Sequence, residues 1–91
     1  MEYVTNAEFR RQKTALTRAI NSRVPVQVLA TVEKTLDEWS GKAWPDDWSR
    51  WLRALEDAHL AFLRSDSYND DQDIGDGKIS RRFSEALRRI R

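Results

Sequence analysis

Between Trp48 and Leu63 the apolar residues return every three or four positions. Trp48, Trp51, Leu52, Leu55, Ala58, His59, Phe62 and Leu63 fall within about 140° of a helical wheel at about 100° per residue. A strand, whose side chains alternate between faces, cannot gather such a stripe on one side. A helix can, and it then needs a second apolar surface to cover it. The remainder of the 91-residue chain must supply that surface, within about one domain and one modest core.

Two further stripes precede it. Thr5-Asn6-Ala7-Glu8 has the pattern of a capping box, a hydroxyl followed three residues later by a carboxylate. It predicts a helix over about 6–22, with Phe9, Leu16, Ile20 and the stem of Lys13 on one face. Val24-Pro25 closes that helix, because the residue before proline is driven out of the helical region. Pro25 then opens a second helix, over about 25–40, whose stripe is Val28, Leu29, Val32, Leu36 and Trp39. The stretch VPVQVLATV has strand character, but the helical period continues to Trp39, and Gly41 provides a stop.

The third helix is expected over about 45–65, opened by Pro45, Asp46 and Asp47 against the positive end of the helix dipole. Residues 66–77, DSYNDDQDIGDG, read as an acidic loop. A short basic helix follows over about 80–90, with Phe83, Ala86, Leu87 and Ile90 on one side. The expected fold class is all-α: one domain, a compact bundle of three main helices plus the short basic C-terminal helix, and no strand pair. Its expected core is Leu16, Ile20, Val28, Val32, Leu36, Trp39, Trp48, Trp51, Leu52, Leu55 and Phe62.

The distribution of charge along the chain narrows the function more than its total does. The net value of +1 conceals +3 over residues 1–23, −2 over 24–65, −5 over 66–77 and +5 over 78–91. With no cysteine, disulfides and thiolate metal sites are excluded. No apolar run approaches the length of a membrane span, and the first residues lack a signal-peptide pattern, so a cytoplasmic location is expected.

Signals for chemistry are weak. If Asp76-Gly77 are set at the fifth and sixth positions of a calcium loop, Gln72, Ile74 and Phe83 fall where oxygen ligands are required. His59 is the lone histidine, too little for a zinc site, and it is expected at the edge of the core. The doublets Asp37/Glu38, Asp46/Asp47, Glu56/Asp57 and Asp70/Asp71 point about 100° apart on a helix and do not converge as acid and base. A helix-turn-helix reading of helices two and three would present Trp-Pro-Asp-Asp-Trp to phosphates, which opposes it. The expectation is therefore a non-enzymatic protein without cofactor or metal.

Three features suggest contact with a partner. Arg81, Arg82, Arg88, Arg89 and Arg91 surround the apolar strip of the last helix, where guanidinium groups suit carboxylates or phosphates. The same arginines could instead be balanced by the acidic loop. All four tryptophans lie between positions 39 and 51. Periodicity assigns Trp39, Trp48 and Trp51 to the core, with Trp39 expected near Trp48, whereas Trp44 is open between burial and contact. Leu60 stands off its stripe and marks a contact or a homodimer surface.

ALTRAINS (15–22), TVEKTLDEW (31–39) and above all AWPDDWSRWLRALEDA (43–58) resemble small helical proteins of actinobacterial phages and prophages. The resemblance covers about half the chain and implies a context rather than a residue role: a phage-encoded protein acting on a bacterial host or phage protein. The expected function is a protein-interaction module. Nucleic-acid binding without sequence preference, through the C-terminal arginines assisted by Arg10, Arg11 and Arg18, is the alternative.

Overall fold

Thr5 and Glu8 close the expected capping box: the Thr5 N–H donates to Glu8 Oε2 at 3.1 Å, and the Glu8 N–H donates to Thr5 Oγ1 at 3.2 Å. From it runs α1, Asn6–Ser22. In this computed structural model, which describes residues 2–90, α1 turns at Arg23 into α2, Pro25–Glu38, through the extended Val24 that Pro25 demands. A 3-10 turn at Asp46–Trp48 leads into α3, Ser49–Leu63. Then follow α4, Asp66–Asp73, and α5, Lys78–Ile90. Helix α2 packs on α1, α3 and α5, while α4 bridges α3 and α5.

The described residues are thus all-α apart from one short strand pair, which corrects the expectation that there is none. Glu2–Tyr3 (β1) pairs in parallel with Lys42–Ala43 (β2), which lies between α2 and the 3-10 turn. Lys42 Nζ also reaches Glu8 Oε1 at 2.9 Å. The N-terminal segment therefore holds the α2–α3 connection in place.

The core runs through all four long helices. It contains Leu16 and Ala19 of α1, Val28, Leu29, Val32 and Leu36 of α2, Trp39 just after α2, Trp51, Ala54, Leu55, Ala58 and Phe62 of α3, and Phe83, Ala86 and Ile90 of α5. The basic last helix is not an appendage, since its apolar side closes the bundle. Three core expectations need correction. Ile20 is 46% exposed, because α1 turns Phe9, Gln12, Leu16 and Ala19 inward instead. Gln12 is buried and takes a position that hydrophobicity alone would not assign: the Thr35 hydroxyl lies 3.0 Å from its Oε1, and its Nε2 donates to Glu38. Trp48 is 36% exposed because it belongs to the 3-10 turn rather than to the regular period of α3. Leu52 is half-buried against the core, and Leu63 is exposed, because Ala54 faces inward in their stead.

The acidic segment is also not a loop. Asp66–Asp73 is helical, although its composition is polar, because two of its residues are tied to the bundle. Tyr68 packs edge-on against Phe62, with ring centres 6.0 Å apart. Asp71 is buried and accepts the N–H groups of Ile79 (2.8 Å) and Ser80 (3.0 Å) and the Ser80 hydroxyl (3.1 Å), so it caps α5 from outside that helix. Asp76 and Gly77, both with positive φ, make the turn between the two helices.

Candidate interaction site

The α2–α3 connection places three tryptophans around one another. Trp39 meets Trp44 at 4.8 Å and Trp51 at 5.1 Å between ring centres, both edge to face, and Trp44 meets Trp51 at 6.5 Å. The aromatic neighbours of Trp39 are therefore Trp44 and Trp51 rather than the expected Trp48. Gly41 makes this geometry accessible: at φ 78° it adopts a left-handed turn that a side chain would oppose. Trp44 is half-buried and rests on the core, so it is partly plug and partly surface.

Beside this cluster opens a cleft of about 510 Å³. Trp39, Trp44 and Trp48 form much of its wall, with Lys42 from β2 and Arg89 and Ile90 from the end of α5. The tryptophan junction and the arginine-rich helix, separate surfaces in the sequence, thus meet in one place. The reason is the packing of α5 along α2: Arg89 Nη2 stands 2.9 Å from Asp37 Oδ1, and Arg82 forms a two-pronged pair with Glu33, its Nε 3.3 Å from Oε2.

The other candidate residues lie elsewhere. Arg81 is exposed beside Asp71, and Arg88 is exposed with a long 3.9 Å approach to Glu85. Arg91 lies outside the described residues. Leu60 is 52% exposed on α3 and does not line the cleft. His59 is half-buried and stacks on Phe83 at 5.0 Å. Of the described arginines of α5, Arg82 and Arg89 are thus paired with α2, whereas Arg81 stands beside Asp71 of the acidic segment.

Several carboxylates are committed to structure. Lys42 is the main reason that the Glu8 carboxyl sits below its ordinary range, assisted by the Thr5 N–H. Burial pushes Asp71 upward, but the N–H groups of Ile79 and Ser80, the Ser80 hydroxyl and the nearby Arg81 outweigh it and hold that carboxyl low. Glu33 holds Arg82 above the usual arginine value through its hydrogen bonds. Among the described residues no group of three or more acidic, histidine or cysteine side chains is placed to hold a metal ion.

A second, smaller groove of about 260 Å³ lies where the α1–α2 corner meets α3, with the exposed Ile20 and Val24 at its edge and Ala54 and Ala58 in its wall. Among the described residues that line it, none is aromatic. Sequence reading missed Lys42 as a cleft residue and Trp48 as an exposed one. The Gly41-Lys42 pair between two tryptophans was the available signal. Comparison of the chain with protein-family models, curated proteins and solved structures finds no match.

Proposed function

We propose that this chain is a non-enzymatic protein-interaction module that receives a segment of a partner protein in the cleft between Trp44, Trp48 and Arg89. The single observation that carries the proposal is that residues of these two types, from distant parts of the sequence, line the same concave surface. Tryptophan and arginine are the residues that most often dominate binding energy at protein interfaces. Resemblance to small phage and prophage proteins supports a phage-encoded role directed at a bacterial host protein in the cytoplasm. The engagement of Glu8, Glu33, Asp37 and Asp71 in helix caps and ion pairs supports a structural rather than a catalytic use of its acids.

The arrangement of the arginines weighs against the nucleic-acid reading. Arg82 is held by Glu33 through two nitrogens, and Asp37, 72% exposed at its side chain, would stand among the phosphates of a bound duplex. Among the described residues no helix is long and apolar enough to cross a membrane.

A photoreactive amino acid placed at position 48 tests the proposal in cells of a bacterial host, with one placed at position 60 as comparison. Cross-linking of a discrete protein from position 48 and not from position 60 is the expected outcome. Cross-linking only from position 60 would move the site to the outer face of α3.

A further inference from the structure

We infer that the cleft selects a partner segment in which one or two carboxylates stand next to a large apolar side chain, the acid seated on Arg89 and Lys42 and the apolar group on Trp44 and Trp48. This rests on the interaction reading above and names the chemistry of its partner. Among the described residues the wall of the cleft holds two cations, Lys42 and Arg89, and no acidic residue, the carboxylates of Glu8 and Asp37 that they contact lying outside it. At about 510 Å³ it lies in the range of about 300–1,000 Å³ that encloses small ligands, so it suits a short segment rather than a broad flat face.

Both cations have donors to spare. Arg89 uses Nη2 for Asp37, and a guanidinium carries five N–H donors in a fork that matches a carboxylate. Lys42 gives one contact to Glu8 and has three donors. The Arg89–Asp37 pair is solvent-accessible on both sides, with side chains 41% and 72% exposed, so an incoming carboxylate competes with a weakly held partner. Indole faces bind apolar side chains and aromatic rings, and Trp48 offers one at the rim. A long acidic run is not favoured: Asp46 and Asp47, exposed beside Trp48, repel charge beyond the first one or two carboxylates. The same repulsion applies to a continuous phosphate backbone.

The test uses the full chain labelled with 15N, whose four tryptophan indole N–H groups give separate reporters. The probes are capped octapeptide pools in Gly/Ser background: an Asp/Glu pair followed by Phe, Leu or Trp, the same with Lys/Arg in place of the acids, and the acidic pool with Ala in place of the apolar residue. A DNA duplex is the fourth probe. Saturable shifts at Trp44 and Trp48 with the acidic–apolar pool are expected, with affinity at least tenfold above either control pool. Arg89→Glu and, separately, Trp48→Ala should each weaken it at least tenfold while the melting temperature stays near that of the parent chain.

Equal response to the basic pool, response to DNA alone, or no shift at millimolar peptide would overturn the inference. The two levels of the account fail differently. Cleft-dependent cross-linking of a protein with no response to the acidic–apolar pool removes the partner chemistry and keeps the interaction reading. Peptide binding with no cleft-dependent protein contact in cells keeps the chemistry and removes the interaction reading.

Discussion

Arg89 Nη2 lies 2.9 Å from Asp37 Oδ1, so the residue that walls the tryptophan cleft is also one of two arginines fastening α5 to α2. The other, Arg82, is bonded to Glu33 by two nitrogens and is the less exposed of the pair. The two links should differ in strength. Arg89→Ala is expected to change stability by no more than about 1 kcal/mol, as exposed ion pairs do. Arg82→Ala should cost more, because it removes a bidentate contact and the packing of its stem. Urea denaturation of both variants checks the order.

The tryptophans divide in the same manner. Trp39 and Trp51 are almost wholly buried, and among the described residues their indole N–H groups have no hydrogen-bond partner. Their value to the fold is therefore packing, and truncation of either to alanine should cost about 3–5 kcal/mol. Trp48→Ala, at an exposed turn, should stay within about 1 kcal/mol. Trp44→Ala should fall between them, because its ring lies against Trp39 and Trp51. Unfolding midpoints of the four alanine variants measure this ranking.

Gln12 and Thr35 form a buried polar link between α1 and α2. Glu38 only accepts, so it fixes Gln12 with its amide nitrogen outward and its oxygen toward the Thr35 hydroxyl. Thr35→Val removes the one hydroxyl proton that Gln12 Oε1 shares with the Thr31 carbonyl oxygen and should cost about 1–3 kcal/mol. Thr35→Val combined with Gln12→Leu should recover part of the loss. A double-mutant cycle that is simply additive would contradict the coupling.

Acid should loosen the fourth and fifth helices. Asp71 and Glu8 both have carboxyls held below their ordinary range, so each contributes stability that is complete only above the unfolded-state values, from about pH 5 upward. That contribution disappears as pH falls through the lowered folded-state values. Asp71→Asn should reduce stability near neutral pH and flatten its dependence on pH below about 4, as followed by helicity at 222 nm.

Much of the fold was legible because period and capping are local. Thr5, Glu8 and Pro25 marked the start of α1 and the α1–α2 boundary where they occur, and the stripe of α2 became its buried face. What was not legible depended on contacts across the chain. Gln12 is inside only because Thr35 and Glu38 meet it there, which in turn leaves Ile20 outside. Asp66–Asp73 is a helix only because Tyr68 reaches Phe62 and Asp71 reaches the start of α5. The cleft was half legible: its tryptophans and Arg89 stood out by type, but their meeting required the packing of α5 along α2 and the pinning of Lys42 by β1 and Glu8.

The central claim is that Trp48 and Arg89 act together as one binding surface. The most direct measurement compares protein capture from a bacterial lysate by the parent chain, by the Trp48→Ala/Arg89→Glu double variant, and by a Leu60→Ala/Arg81→Glu control of similar chemistry. Melting curves confirm that all three are folded. The account predicts a discrete captured protein that is lost with the double variant and retained with the control. Retention by a folded Trp48→Ala/Arg89→Glu chain, or loss with the control alone, would contradict it.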